Sequence, residues 1–271
     1  VIYILGGRGR LGQALAALYE PGQSVCLDRA VYDAWSQPDA AGAVRSYFSR
    51  CTPVPSIIYV CSGLLDPQIP DDELLAVNYQ LPRNVIEGVQ GLGIKVVTFG
   101  TAMEHGLATN RYVQSKVKLS EFVEQSVAQG ALATHVRIHT QYGEGEPSSF
   151  MFLGQILTAL RNDTPFAMTL GRQLREYHHV ADDARAIQLL VQEAIVGPVD
   201  LSHGEPVTLR NLAEAIFESL GKSHLLQVGK LPEPVQENFD TVFVVPETLQ
   251  TLSFRDTHPA VVDYMKSRMN G

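Results

Sequence analysis

Tyr112 and Lys116 stand four positions apart in Tyr112-Val113-Gln114-Ser115-Lys116, at the start of a predicted helix. That spacing puts phenol and ammonium on one helical face. A cation beside a phenol lowers its pKa, so Tyr112 can exchange a proton with an alcohol or carbonyl oxygen as hydride moves to or from the adjacent carbon. Thr101, at the end of the predicted strand Lys95–Phe99, offers a hydroxyl to hydrogen-bond the reacting oxygen. Y-x-x-x-K by itself is weak evidence, because a surface tyrosine and lysine on any amphipathic helix share the spacing.

A second constellation supplies the missing hydride. Val1-Ile2-Tyr3-Ile4-Leu5 reads as a buried strand and runs into Gly6-Gly7-Arg8-Gly9-Arg10-Leu11-Gly12. Glycines 6, 9 and 12 fall where a strand turns into a helix, and residues without a Cβ there let backbone N–H groups approach a pyrophosphate. Gly6, Gly9, Arg10, Leu11 and Gly12 are therefore expected to bind a dinucleotide, and Lys116 to hold its nicotinamide ribose. Asp28 ends the next predicted strand, 22 residues beyond Gly6, close to the distance at which an acid meets the adenosine ribose hydroxyls. A carboxylate there favours NAD(H). Arg29, with Arg8 and Arg10 in the turn, keeps NADP(H) possible, since a guanidinium suits a 2′-phosphate.

These groups meet only if the chain alternates strands and helices. Apolar runs at Val1–Leu5, Ser24–Leu27, Ser56–Cys61, Lys95–Phe99 and Thr134–Ile138 alternate with amphipathic stretches at Leu11–Leu18, Ala40–Ser49, Asp71–Val89 and Arg111–Ala128. Pro82 should kink or interrupt the third stretch. The pattern predicts an α/β fold with a doubly wound parallel sheet of the Rossmann type. Beyond about residue 140 Gly- and Pro-bearing loops surround helices expected at Phe150–Arg161, Asp182–Gln192 and Leu209–Leu220, which reads as a smaller C-terminal lobe.

Composition narrows the function. The chain has 271 residues, 21 Lys plus Arg against 29 Asp plus Glu, and a net charge of −8. With no basic block, a nucleic-acid partner is not expected. Cys26, Cys51 and Cys61 lack metal or disulfide spacing, which suits a reducing, cytoplasmic setting. No apolar run is long enough for a bilayer and no basic leader precedes an apolar segment, so no membrane association is expected. His178 and His179 are adjacent, a strand would send them to opposite faces, and no acid shows ligand spacing, so no metal is expected.

Taken together the motifs resemble an extended short-chain dehydrogenase/reductase of the nucleotide-sugar epimerase, dehydratase and reductase group. The resemblance rests on the glycine turn, on Thr101, Tyr112 and Lys116, and on the helical Val77-Asn78-Tyr79. It also rests on Cys61-Ser62-Gly63, expected at the end of the fourth strand, where the family's small-residue loop passes the cofactor. Thr101 and Tyr112 then follow the fifth. Arg137-Ile138-His139-Thr140-Gln141-Tyr142-Gly143 is similar to the segment that runs past the nicotinamide into the substrate lobe. Gly171-Arg172-Gln173-Leu174-Arg175-Glu176-Tyr177-His178-His179-Val180-Ala181-Asp182-Asp183 resembles the second signature, whose arginine, here Arg175, binds the diphosphate of a sugar nucleotide. A surface arginine paired with an acid such as Glu176 is the plain alternative for Arg175.

The resemblance implies an NAD(P)-binding domain over 1–140 and a mainly substrate-binding lobe over 141–271, with some segments returning to the sheet. It implies cofactor contacts from Asp33, Cys61, Ser62, Gly63, Asn78 and Ile138, and substrate contacts from Thr101, His105, Thr140 and Arg175, with Thr140 replacing the usual asparagine. A homodimer built on the Tyr112 helix and the helix before the fifth strand is also implied, through Val117, Leu119, Phe122 and Val123 unless these serve the core.

Dehydratases of this kind carry an Asp-Glu pair directly after the threonine, whereas this chain has Thr101-Ala102-Met103-Glu104. Reduction of a nucleotide-linked 4-keto sugar and C4 epimerisation need only the Tyr, Thr and Lys set, and 271 residues is nearer the length of the reductases. The loop from Thr101 to Tyr112 is short for the family, which implies a differently shaped sugar pocket. A dinucleotide-binding sensor is the alternative of another class, and the retained Tyr112 and Lys116 argue against it.

Overall fold

The computed structural model describes residues 1–106 and 110–269. The chain divides into two compact units, one of Val1–Ile138 with Asp183–Leu201, the other of His139–Asp182 with Ser202–Gly271.

The first unit is built on six parallel strands, β1 (Ile2–Leu5), β2 (Ser24–Cys26), β3 (Ile57–Val60), β4 (Lys95–Thr101), β5 (Ala133–Ile138) and β6 (Gly197–Asp200), in the order β6-β5-β4-β3-β1-β2. β-Branched and apolar runs such as Ile57-Ile58-Tyr59-Val60 suit the centre of a parallel sheet covered on both faces, and Ile58 and Tyr59 are fully buried. The strand order reverses between β1 and its neighbours β2 and β3, and a crevice forms at the carboxyl ends of strands flanking such a switch point. Gly6 follows β1 and Cys61 follows β3.

The helices of this unit are α1 (Arg10–Ala16), α2 (Arg29–Tyr32), α3 (Ala41–Phe48), α4 (Asp71–Leu75), α5 (Leu81–Val89), α6 (Arg111–Ala128) and most of a further helix at Val180–Gln192, which the sequence pattern had placed in the C-terminal lobe. The stretch expected as a single kinked helix over Asp71–Val89 widens into a π-helical turn at Ala76–Gln80 between α4 and α5. Pro82 has no N–H to donate to the carbonyl four residues back, and the altered turn lies directly before it.

Strand numbering departs from the family pattern. The strands before Cys61 and Thr101 are the third and fourth here, because 29–48 forms α2, a 3-10 turn at Asp33–Ser36 and α3, with no strand. An aromatic cluster takes that ground instead. Trp35 and Phe48 are buried, their ring centroids are 5.6 Å apart, and Tyr3 and Tyr47 meet Phe48 edge-on at 5.5 and 5.1 Å. Helical spacing lets Val44 and Phe48 point together at the sheet, which an extended segment would not allow. On α6, Leu119 and Val123 belong to the same core with Phe122 packed against it, so these positions serve the fold of the chain itself.

The second unit has its own core, including Tyr142, Ile156, Leu160, Phe217 and Met265, gathered from the strand Thr140–Tyr142 and from helices at Phe152–Asn162, Leu209–Ser219 and Thr257–Met269. Two-strand ladders order its loops: Thr140–Tyr142 runs parallel to Tyr177–His179, and Leu174–Arg175 antiparallel to Val207–Thr208. Thr208 caps the helix after it by accepting from the Asn211 N–H at 3.1 Å. Among the described residues no helix is long and apolar enough to cross a membrane.

Phe48→Ala is expected to destabilise the first unit by about 3–5 kcal/mol through the lost ring and the cavity it leaves. Trp35, the single tryptophan, packs on Phe48, so its fluorescence during urea unfolding reads the change as an earlier transition.

Candidate active site

The glycine turn is shaped by close approach. Gly6 has φ +79°, and a Cβ there would lie 2.6 Å from the Ser62 nitrogen. A Cβ on Gly12 would lie 2.5 Å from the Gly6 oxygen and 2.8 Å from the Gly7 Cα, so no other residue lets α1 start so near β1. Gly9 begins α1 without a capping side chain.

Beside this turn opens a cleft. Of the expected cofactor residues it is lined by Gly6, Gly9, Arg29, Asp33, Cys61, Ser62 and Gly63. Arg10 and Leu11 lie in the first turn of α1, and Asp28 caps α2 by accepting from the Ala30 N–H at 2.9 Å. Arg29 and Asp33 form an exposed ion pair at 3.0 Å.

The cleft also uses Tyr32, Ser36, Leu64, Val77 and Leu81, which the sequence reading missed. Tyr32 is the most informative of these. Its hydroxyl accepts from the Gly6 N–H at 3.1 Å and from the Ser62 hydroxyl at 3.2 Å, tying the loops after β1 and β3 together. The signal for it was its place one helical turn beyond Asp28.

Asn78 lies in the π turn, fully buried. Its amide is spent on the protein: it accepts from the Leu64 N–H at 2.8 Å and donates to Leu64 O at 2.9 Å and Ser115 Oγ at 3.3 Å. A fully hydrogen-bonded buried amide shapes the loop after Gly63 and has no surface for a ligand.

Lys116 is buried and donates to Phe99 O at 2.9 Å, two residues before Thr101. Burial pulls its pKa down to about 8, against the opposing charge of Glu104. The ammonium lies 5.8 Å from the centre of the Tyr112 ring. The expectation that Lys116 lowers the phenol pKa is corrected here: burial first, and then the Glu104 carboxylate, push Tyr112 upward.

Thr101 starts the 3-10 turn Ala102–His105, its hydroxyl accepting from the Met103 N–H at 3.3 Å and its own N–H donating to Glu104 Oε1 at 2.7 Å. Ile138 pairs with Thr101 across β4 and β5. His105, one residue beyond Glu104, bonds Asp200 at 2.7 Å. Residues 107–109 of the short loop to Tyr112 lie outside the described residues.

In the second unit Thr140 donates its N–H to Glu176 O at 3.2 Å. Arg175 pairs with Glu237 at 2.6 Å, not with Glu176, and donates to Leu174 O at 2.8 Å. Glu176 instead gathers histidines, which corrects the reading that no acid shows ligand spacing to them: ligand atoms of Glu176, His178 and His203 all lie within 4.8 Å of one another, close enough to hold a metal ion. Glu176 bonds His178 at 3.0 Å and accepts from Ser202 Oγ at 2.7 Å and the His203 N–H at 2.8 Å. Burial works against its charge, but the His178 bond, the nearby His139 and Ser202 hold its pKa down to about 2.

The sequence profile of the NAD dependent epimerase/dehydratase family matches residues 2–200. The chain belongs to that family. No curated protein matches the sequence. Among solved structures, the UDP-N-acetylglucosamine 4-epimerase of Methanobrevibacter ruminantium M1 superposes with a TM-score of 0.76 at 14% identity, covering 99% of this chain and 96% of its own. A dTDP-glucose 4,6-dehydratase of Streptomyces venezuelae, solved with NAD bound, gives 0.75 at 16% identity over 98% and 95%. A dTDP-4-dehydrorhamnose reductase of Clostridium acetobutylicum gives 0.73 at 16% identity over 98% of each chain. At these identities the likeness is one of fold, so the chain shares the Rossmann-type architecture of family members with three different chemistries.

Lys116 gives the site a pH signature. Its folded pKa of about 8 lies below the unfolded value, so the unfolded chain binds more protons between about pH 8 and 10.5 and stability rises with pH through that window. The unfolding free energy of the wild type relative to Lys116→Met is expected to increase by on the order of 3 kcal/mol from pH 7 to pH 10.5 in denaturant titrations. A flat difference would place the ammonium in water.

Proposed function

We propose that the protein is an NAD(H)-dependent reductase of a 4-keto sugar carried on a nucleotide diphosphate. Tyr112 is the acid, Lys116 its electrostatic partner, and Thr101 the hydroxyl that binds the reacting oxygen. The observation that carries this reading is the gathering of all three at the end of β4. Lys116 donates to Phe99 O, Thr101 closes the same strand, and Tyr112 lies one turn before Lys116 on α6.

The cleft fits a dinucleotide. A Cβ at Gly6 or Gly12 would collide with backbone, and the small residues Cys61, Ser62 and Gly63 stand opposite the turn. Arg29 and Asp33 would meet the adenosine end, and Gly9 with Ser62 the pyrophosphate. When bound, NAD(H) supplies the hydride. The protein residues then handle the oxygen that becomes negative. Burial keeps Tyr112 a phenol, the form that can give a proton to a carbonyl oxygen as it becomes an alkoxide. Lys116 stabilises the phenolate left behind, and Thr101 donates to the same sugar oxygen. Arg175, in the second unit, carries a planar guanidinium that suits a diphosphate.

Loss of water from the sugar is disfavoured. Ala102 and Met103 carry no acid or base, and Glu104 is buried and committed to the Thr101 N–H, His135 and Arg137.

The test begins with the small molecule released on denaturing the purified protein, followed by NADH consumption on dTDP- and UDP-linked 4-keto-6-deoxyhexoses. A reductase binds NADH reversibly and consumes it; tightly retained NAD without net consumption would turn the reading to C4 epimerisation. In the active assay Tyr112→Phe is expected to keep the NADH affinity of the wild type and lose at least about a hundredfold in kcat. Arg175→Ala is expected to raise KM about tenfold with kcat nearly unchanged, and an unchanged KM would point to a ketone without a nucleotide handle.

A further inference from the structure

Glu104 was unremarkable in the sequence, one residue beyond where a dehydratase acid would stand. In the structure its side chain is 3% exposed and both oxygens are occupied. Oε1 accepts from the Thr101 N–H at 2.7 Å and bonds His135 Nε2 at 3.2 Å, and Oε2 accepts from Arg137 Nε at 2.9 Å.

Those partners are fixed in turn. Arg137 donates to Ser120 Oγ on α6 at 2.9 Å and lies 3.7 Å from Asp200 on β6. His135 Nδ1 bonds Thr98 Oγ1 at 2.9 Å, so with the Thr98 hydroxyl donating to Nδ1 the ring presents Nε2–H to the carboxylate. The strand is cut away to admit the cluster: a Cβ on Gly100 would lie 2.0 Å from Glu104 Oε1 and 2.2 Å from His135 Nε2.

We propose that Glu104 is a positioning residue for Thr101, Tyr112 and Lys116: its buried carboxylate, fixed by Arg137 and His135, holds Thr101 by the backbone N–H and supplies the negative charge that balances Lys116. A carboxylate removed from water persists only when such donors surround it, and here the donors tie it to the backbone of the residue meant to bind the reacting oxygen. The charged and titratable groups around it are His105 on its own turn, His135 and Arg137 on β5, Tyr112 and Lys116 on α6, and Asp200 on β6. Of the two acids in that set, Glu104 is the one whose charge acts on Lys116 and Tyr112. The roles of Thr101, Tyr112 and Lys116 are those of the reading above.

The test is the ionisation of Lys116, followed by NMR of protein labelled with ¹³C at the lysine Cε, the resonance identified by its loss in Lys116→Met. In Glu104→Gln the midpoint is expected to fall by about one pH unit, as removal of one nearby opposite charge requires. In Arg137→Gln, which removes a cation and leaves Glu104 less balanced, it is expected to rise. Loosened packing would move both variants the same way, so opposite signs carry the proposal, while a common direction or no movement in Glu104→Gln overturns it. Should Glu104→Gln not fold, Arg137→Gln decides alone, a rise supporting the proposal and no rise defeating it. Thr101 amide exchange is expected to quicken at least tenfold in Glu104→Gln, and an unchanged rate would remove the backbone half of the claim. None of these readouts needs turnover: an inactive wild type or a fully active Tyr112→Phe would defeat the reductase reading and leave the Lys116 titration to judge Glu104.

Discussion

Parallel pairing in register is the constraint on which the first unit depends. Because β1, β3, β4 and β5 run the same way and are paired Leu5 to Val60, Val60 to Thr98, and Thr101 to Ile138, every strand delivers its carboxyl end to one edge of the sheet. Gly6, Cys61, Thr101 and Ile138, far apart in the chain, are brought to that edge by backbone hydrogen bonds alone. Side chains then refine what the ladder has already gathered. Tyr32 ties the loop after β1 to the loop after β3, and Asn78 fixes the next few residues of that second loop.

Burial sets the electrostatics at the same edge. Lys116, His135 and Glu104 are all withdrawn from water, and each alone would lose its charge or shift its titration strongly. Grouped, they behave differently: the carboxylate stays ionised because three donors meet it, His135 is pushed toward the neutral ring by burial, and Lys116 stays mostly protonated at neutral pH. The phenol of Tyr112, facing the same negative charge, stays a phenol.

How far the sequence revealed this follows from the range of each interaction. Strands β1 to β5 and helix α6 were legible to within two residues at each end, because apolar runs, glycines and an Asn110 cap are local signals. Membership of an NAD dependent family was legible for the same reason, since the glycine turn and the Tyr112–Lys116 spacing sit within short windows. The stretch Ala40–Ser49 was legible as a helix too, and it folds as α3 with Tyr3 packing on Phe48; only the ordinal given to the strand before Cys61 was wrong, since the apolar runs themselves leave no strand between Leu27 and Ser56. Glu104 was opaque because its partners His135 and Arg137 lie 31 and 33 residues on, beyond the reach of any local pattern. Arg175 was singled out through the family resemblance, but its partner Glu237 stands in an irregular stretch with no motif to announce it.

That last pair would set the terms for any anion arriving at Arg175. A guanidinium that already holds a carboxylate at 2.6 Å, both groups only about one-seventh exposed, gains little from exchanging one single negative charge for another. Binding there would be a replacement reaction, its balance favouring ligands that bring more charge or more acceptor oxygens than Glu237 does. The resting ion pair would thus set a threshold that one negative charge does not clear and a diphosphate does.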